Sequence, residues 1–112
     1  MGTLALMYHR FNEPKYPSTN IQMDIFKKQI EIIKKNYKFY DPGKFSSNFN
    51  IVKKEKKILI TIDDAFTSFY KHAWPFLKKN KIPLILFVST EAVGKFGYMN
   101  WKQIKELEKE TF

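Results

Sequence analysis

Two adjacent carboxylates, Asp63 and Asp64, directly follow the β-branched apolar run Ile58–Ile62. Like charges that lie close together do not both stay ionised unless a cation joins them. A divalent metal would resolve this conflict, because one Asp could ligate the ion while the other takes a proton from metal-bound water. The pair therefore indicates metal-assisted hydrolysis as one chemistry open to this chain.

A second interpretation of the acidic pair is structural. Asp64 or Thr67 would cap the helix that follows, and Asp63 would face solvent. In an extended strand Asp63 and Asp64 point to opposite faces, so both reach one site only if the backbone turns at Asp64. The pair by itself leaves both interpretations open.

Reactive side chains also follow two other apolar runs, as Tyr8-His9-Arg10 and Ser89-Thr90-Glu91. In α/β proteins functional groups gather at the carboxyl ends of strands. His9 is therefore a candidate substrate-binding residue, with a hydrogen-bonded structural histidine as the alternative. A serine nucleophile at Ser89 has little support, because no basic partner lies near it in sequence.

Hydrophobic periodicity predicts the elements that must position these groups. The predicted strands are Leu4–His9, Tyr37–Tyr40 with an Asp41-Pro42-Gly43 turn after it, Ile58–Ile62 and Pro83–Ser89. Helices are predicted to begin near Asp24, near Ser68 and after Asn100, and the last is expected to continue to Phe112. The order β-α-β-β-α-β-α predicts an α/β sheet with parallel strands and right-handed crossovers.

Helical spacing also predicts which side chains face the core. The inward positions are Ile25, Phe26, Ile30, Ile33 and Tyr37 in the first helix, Phe69, Ala73, Phe76 and Leu77 in the second, and Trp101, Ile104 and Leu107 in the third. Pro75 should kink or restart the second helix, whereas Asn100 and Gln103 approximate a capping box for the third. His72 is expected to be an ordinary helix residue, and Trp74 and Trp101 to be core or interface anchors.

Composition limits the class of protein. A chain of 112 residues, 44% apolar and 17% aromatic, is one small folded domain or part of a larger one. Absence of cysteine excludes disulfides and thiolate metal sites.

The net charge of +9 rests on nineteen lysines and one arginine, Arg10, and lysines spread along helices predict solvated faces rather than a nucleic-acid partner. No apolar run reaches the ~20 residues of a membrane span, and no signal peptide begins the chain, so its location is not predicted.

The segment ILITIDDAFTSFYKHAWPFLKKNKIPLILFV resembles the first motif of the polysaccharide deacetylases, the NodB-homology or carbohydrate esterase family 4 proteins. That motif is roughly T-F-D-D-G-[YF]. LMYHRF is similar to the family's first strand, STNIQMDIFKKQIEIIKKNYKF to its first helix, and YMNWKQIKELEK to the segment before its second motif. These blocks cover essentially the whole chain in the family's order, which favours the chemical interpretation of the acidic pair over helix capping.

The resemblance implies a fold and an activity. The fold would be an irregular (β/α)7 barrel, with residues 1–112 as the N-terminal part of a single domain that holds the first three to four βα units and no second domain. The activity would be metal-dependent hydrolysis of N- or O-acetyl groups on a polysaccharide or oligosaccharide, most often of N-acetylglucosamine type. Asp63 matches the family's general base and Asp64 its metal ligand. Two histidines of an H-[ST]-x-x-H motif complete the site around a divalent ion, usually Zn²⁺.

This sequence departs from the family pattern in two ways. Ala65 replaces the motif glycine, and H-[ST]-x-x-H is absent, since neither His9 nor His72 fits it. We therefore expect the chain alone to lack hydrolase activity, and expect self-association through the apolar edge Pro83–Ser89. The alternative is a non-catalytic carbohydrate-binding or assembly module on a degenerate deacetylase scaffold.

Overall fold

The computed structural model describes residues 3–41 and 57–110 of the protein. Its strands are β1 Thr3–Tyr8, β2 Arg10–Phe11, β3 Asn20–Ile21, β4 Lys38–Phe39, β5 Lys57–Asp63 and β6 Leu84–Phe87. Its helices are α1 Met23–Asn36, α2 Trp74–Lys79 and α3 Trp101–Glu108, and a π-helical turn, Phe69–Ala73, leads directly into α2. Pro42 and Gly43 of the predicted turn lie outside the described residues.

The strand β5 is the centre of a parallel sheet. It pairs with β1 on one side, and with β4 and then β6 on the other. Ile58, Ile60 and Ile62 are buried, as expected for a strand that helices cover. The predicted mixed α/β architecture with parallel strands is confirmed.

The outer strands are less buried than their apolar sequences predicted. Leu4 and Met7 of β1 are 60% and 61% exposed, and Phe87 of β6 is 53% exposed. Within the described residues β1 and β6 each pair on one side only, which leaves part of their apolar surface uncovered. The prediction of a buried first strand is therefore wrong for Leu4 and Met7, and this strand ends at Tyr8 rather than His9.

Two short strands that were not predicted, β2 and β3, lie between the first strand and the first helix. They pair in parallel, and the Arg10 N–H donates a hydrogen bond of 3.0 Å to the Thr19 carbonyl. With two residues each, they are too short to produce an alternating pattern. Their pairing closes the segment between β1 and α1 into a fixed loop.

Helix α1 buries a narrower stripe than predicted. Phe26, Ile30 and Ile33 face the core, but Ile25 is 49% and Tyr37 38% exposed, so the inward assignment of these two is wrong. Residue 25 lies one step, about 100°, around the helix from Phe26, beyond the edge of the buried stripe. The first turn is capped from outside, since the Asn12 Oδ1 accepts a hydrogen bond from the Met23 N–H at 2.7 Å.

The second predicted helix is divided at Pro75, as its sequence indicated. The Trp74 N–H donates to the Phe69 carbonyl, a π-type bond that spans five residues. This wider turn accommodates Pro75, which has no N–H and whose ring would clash with a carbonyl in a regular α-helix. Phe69, Ala73 and Leu77 are buried as predicted, and Phe76 is half-buried.

Helix α3 begins with the predicted capping box. The Asn100 side chain accepts from the Gln103 N–H at 2.9 Å, and the Gln103 side chain accepts from the Asn100 N–H at 3.0 Å. Ile104 is buried, but Trp101 is 51% exposed, so its predicted inward position is wrong. The helix ends at Glu108 and not at the chain terminus, and residues 111–112 lie outside the description.

Aromatic side chains fill the core below the carboxyl end of β1. Tyr8 and Phe11 each pack edge-on against Phe26, with ring centroids 4.9 Å apart in both pairs. The Tyr8 hydroxyl donates to the Gln29 Oε1 at 2.7 Å, and burial raises the pKa of this phenol. No helix in the described ranges is long and apolar enough to cross a membrane.

Candidate active site

The strand register brings His9 next to Asp63. Tyr8 pairs with Ile62, so the residues that follow them, His9 and Asp63, leave the sheet at the same edge. The His9 Nε2 lies 3.5 Å from the Asp63 Oδ2, and the two side chains are 28% and 25% exposed. This distance is at the outer limit for a hydrogen bond, and it permits electrostatic attraction whenever the imidazole is protonated.

The backbone turns sharply after Asp63, as convergence of the two carboxylates requires. Asp64 and Ala65 have φ angles of +73° and +50°, both in the left-handed region. Asp enters this region more readily than most residues, whereas Ala gains nothing there to offset the steric conflict of its Cβ. Asp64 is exposed and Ala65 is buried, so the turn carries a carboxylate to the surface and the methyl group into the core.

The 94–99 loop anchors this turn. The Met99 N–H donates to the Ala65 carbonyl at 2.9 Å, and the Thr67 N–H donates to the Gly97 carbonyl at 2.8 Å. Phe66 and Tyr98 form an antiparallel bridge between the two segments. Gly97 has a φ of +88°, which explains the need for glycine at this point of the loop.

Helix capping does not account for the acidic pair. In the part of the chain that the structure describes, neither the Asp64 carboxylate nor the Thr67 hydroxyl hydrogen-bonds to an amide of the following helix. The nearby Ser68 Oγ instead accepts from the Phe11 N–H at 3.0 Å, which ties this segment to β2. The carboxylates are therefore available for other partners.

The other sequence-predicted candidates make no side-chain hydrogen bond or salt bridge with this pair in the part of the chain that the structure describes. His72 lies in the π-helical turn and is half-buried. Ser89, Thr90 and Glu91 follow β6 and are exposed. The structure thus brings together His9 and Asp63, with Asp64 next in the chain, and leaves the remaining candidates without a role.

The metal-ligand prediction has an incomplete donor set. Among residues 3–41 and 57–110, no three or more His, Cys, Asp or Glu side chains are grouped so that they could hold an ion. A catalytic zinc site usually has three protein ligands. The described residues therefore do not fit a metal centre by themselves, and the role of Asp64 stays a prediction.

Arg10 contributes to the site in a way that the sequence reasoning missed. Its guanidinium carbon lies 3.8 Å from the ring centroid of Tyr16 and 3.8 Å from that of Phe66, the residue after the strained turn. Two signals in the sequence could have drawn attention to Arg10. It lies between His9 and Phe11, and it is the one arginine among twenty basic residues. Neither signal could identify the two rings, of which Phe66 lies fifty-six positions away in sequence.

Solved structures of known proteins are similar to this chain over almost its whole length. The chain is 33% identical to IcaB from Ammonifex degensii, with a TM-score of 0.83 over 96% of this chain and 48% of that one. It is 26% identical to the Streptococcus pyogenes deacetylase PplD, solved in complex with acetate, with a TM-score of 0.78 over 97% of this chain and 53% of that one. It thus spans about half the length of these solved structures.

Sequence comparison points the same way. The curated polysaccharide deacetylase homologue YxkH from Bacillus subtilis (strain 168) is 30% identical over 105 residues, which are 91% of this chain and 37% of that protein. The family model described as polysaccharide deacetylase matches residues 50–112, more than half of the chain, including the acidic pair. The chain therefore belongs to the polysaccharide deacetylase family, the NodB-like proteins of carbohydrate esterase family 4.

Proposed function

We propose that this chain carries part of the active site of a hydrolase that removes N- or O-acetyl groups from a polysaccharide. One observation carries the proposal: Asp63 and Asp64 leave the central strand at a sharp turn, with His9 3.5 Å from Asp63. Family membership supports deacetylation, and it does not favour the alternative of a non-catalytic module. For N-acetylated substrates the reaction is hydrolysis of a carbon–nitrogen amide bond.

In this proposal Asp63 is the general base. It takes a proton from the water whose oxygen bonds to the acetyl carbonyl carbon. The tetrahedral intermediate then breaks its carbon–nitrogen bond as the departing nitrogen receives a proton, which leaves acetate and the sugar amine. Partial exposure of Asp63 leaves it accessible to water, and the His9 imidazole lies 3.5 Å from its carboxylate. We assign His9 to substrate binding at this point.

The proposed substrate is an acetylated polysaccharide or oligosaccharide, with N-acetylglucosamine units as the first choice to test. The acetate in the PplD structure supports an acetyl-binding site in a relative that is 26% identical. Asp63 and His9 are 25% and 28% exposed, so a substrate in solvent can reach both side chains.

A divalent metal, with Zn²⁺ as the first candidate, is proposed as the cofactor, and Asp64 as one of its ligands. The full sequence lacks H-[ST]-x-x-H, and the described residues offer no complete donor set. We therefore propose that residues outside this chain supply the other ligands. In the same proposal, residues 1–112 are the N-terminal part of one irregular (β/α)7 barrel domain, without hydrolase activity of their own.

The proposal is tested by zinc titration and by an assay for released acetate, on this chain and on a chain extended with the sequence encoded downstream of Phe112. We expect tight stoichiometric zinc binding and deacetylation of N-acetylglucosamine oligomers only by the extended chain. Asp63→Asn should lower its kcat by about 10² to 10⁴-fold and leave zinc binding intact, whereas Asp64→Asn should weaken zinc binding. Glu91→Gln, which neutralises an exposed carboxylate after β6, is the matched control.

Two outcomes would contradict the proposal. Tight stoichiometric zinc binding by the 112-residue chain would show that its ligands are complete. Full activity of the Asp63→Asn variant would remove Asp63 from the chemistry.

We also propose that the isolated chain self-associates through its exposed sheet edges. Met7 on β1 and Phe87 on β6 lie more than half exposed, on strands that pair on one side only within the described residues. Unpaired apolar strand edges are prone to pair with other chains. Sedimentation equilibrium tests this, and a monodisperse monomer would contradict it.

A further inference from the structure

Arg10 is at the centre of a column of stacked side chains. Its guanidinium carbon lies 3.8 Å from the ring centroids of both Tyr16 and Phe66. Both rings are therefore in direct cation–π contact with the same guanidinium. Phe66 in turn packs against Tyr98, with ring centroids 5.0 Å apart. We refer to Tyr16, Arg10, Phe66 and Tyr98 as the Arg10 stack.

The Arg10 stack joins three segments that surround the acidic pair. Tyr16 belongs to the loop between β2 and β3, Phe66 follows the strained turn, and Tyr98 belongs to the 94–99 loop. The Arg10 Nη1 also lies 3.2 Å from the Glu13 Oε1, which fixes the guanidinium within its own loop. Displacement of Phe66 would therefore disturb all three segments at once.

An arginine side chain suits this position better than a lysine. Nineteen of the twenty basic residues are lysine, so the composition of the chain strongly favours lysine. A guanidinium is planar and stacks on aromatic faces, whereas an ammonium is a compact, strongly hydrated charge that is less suited to contact two rings at once. The single exception to lysine thus occurs where planarity is required.

The turn next to Phe66 needs external support. Ala65 is held at a φ of +50°, which a non-glycine residue leaves readily unless its neighbours prevent this. The two hydrogen bonds from Met99 and Thr67 fix the backbone on one side, and the Arg10 stack fixes the Phe66 side chain on the other. Loss of the stack would allow the turn, and the carboxylates that it carries, to shift without unfolding the sheet.

We propose that Arg10 is a positioning residue, which holds the Asp63-Asp64 turn in its reactive conformation by clamping the Phe66 ring. The structural part of this proposal stands on the stack alone. Its consequence for catalysis rests on the proposed deacetylase function.

The structural part is tested by amide hydrogen exchange on the 112-residue chain. The Thr67 and Met99 amides donate the two hydrogen bonds that join the turn to the 94–99 loop, so their protection reports on the turn directly. In Arg10→Lys, which keeps the charge, and in Arg10→Met, which keeps the apolar stem, we expect protection of both amides to fall about tenfold, equivalent to ~1.4 kcal/mol. Protection of the central β5 amide Ile60 should stay unchanged.

The control variant is Lys95→Met, which removes one positive charge from an exposed side chain close to Tyr98 in sequence. It should leave all three amides protected as in the wild type. Unchanged protection of Thr67 and Met99 in Arg10→Lys would overturn the proposal, since a simple charge would then suffice. A parallel fall at Ile60 would also overturn it, because Arg10 would then support the whole fold and not the turn.

The catalytic part is tested in the extended chain. Arg10→Lys should lower kcat by about ten- to a hundredfold, because small displacements of catalytic groups have effects of this size, and it should leave KM within a factor of two or three of wild type. The positioning role would be overturned if the loss of kcat were fully explained by a smaller folded fraction of the variant. A change in KM alone would overturn it as well. If the wild-type extended chain deacetylates no acetylated sugar, the proposed function fails, while the exchange experiment still decides whether Arg10 holds the turn.

Discussion

Replacement of Ala65 by glycine should leave the stability of the protein nearly unchanged, although Ala65 is buried at 2% exposure. Buried Ala→Gly substitutions usually destabilise, because they remove a packed methyl group and increase the entropy of the unfolded chain. Ala65 differs because its φ of +50° lies in the region that only glycine adopts without strain. Relief of this strain should offset the two losses.

The sum of the two losses is similar in free energy to the gain from relief of strain. Removal of the buried methyl group costs about 0.8 kcal/mol, and the greater freedom of glycine in the unfolded chain costs about 0.4–1 kcal/mol. Release of a non-glycine residue from the left-handed region returns roughly 1–2 kcal/mol. The net change in the free energy of unfolding should therefore be within about 1 kcal/mol of zero.

Ala73 provides the matched control. It is also fully buried, at 0% exposure, but its φ is −87°, in the right-handed helical region. Ala73→Gly removes an equivalent methyl group and also places glycine in a helical segment, where it costs about 1 kcal/mol relative to alanine. We expect destabilisation of about 1.5–2 kcal/mol at Ala73 against almost none at Ala65.

The assay is equilibrium urea unfolding of both variants and the wild type, followed by the fluorescence of the two tryptophans, of which Trp74 is buried in the folded state. If the unfolding free energy falls with urea concentration at a comparable slope in the three proteins, their unfolding midpoints can be compared directly. If Ala65→Gly destabilised the protein as much as Ala73→Gly does, the left-handed strain assigned to the turn would be refuted. The substitution of alanine for the family's motif glycine would then carry no cost in backbone conformation.

Three further outcomes follow from the contacts. Asn100→Ala should lower the free energy of unfolding by about 0.5–2 kcal/mol, measured as a lower urea midpoint, because it removes the cap that Gln103 completes. Burial raises the folded-state pKa of Tyr8 above 10.0, so its stabilising contribution is complete below pH ~10 and is lost as pH rises through the raised pKa. Tyr8→Phe should therefore show a smaller loss of stability in alkaline urea titrations than wild type. Phe87→Lys should weaken self-association in sedimentation equilibrium, since it places a charge on the exposed edge of β6.

The central strand and its neighbours could be predicted from sequence because their signals are local. A run rich in β-branched residues predicts β5, and Asn100 and Gln103 specify the start of α3 by direct contact between residues three apart. Pro75 predicts an interruption by its covalent structure alone. The presence of these elements follows from chemistry within a few residues.

Burial and the site depend on contacts that local patterns do not record. Trp101 and Ile25 fit an apolar stripe, yet each lies outside the part of the helix surface that the sheet covers. The contact of His9 with Asp63 depends on the register of β1 against β5, which a shift of one residue would destroy. The contact of Arg10 with Phe66 joins residues fifty-six positions apart in sequence. A periodic pattern of hydrophobic residues does not predict such a contact.

The acidic pair is therefore not a self-contained motif. The strand that precedes it fixes where Asp63 begins, but the direction of Asp64 depends on a left-handed turn that alanine disfavours by roughly 1–2 kcal/mol. That is a substantial share of the 5–15 kcal/mol by which a typical domain is stable. The hydrogen bonds from Met99 and Thr67, each worth about 1 kcal/mol, together with the stacked rings around Arg10, are large enough to offset it. Changes in the 94–99 loop or at Arg10 should therefore alter the position of the carboxylates before they alter the fold.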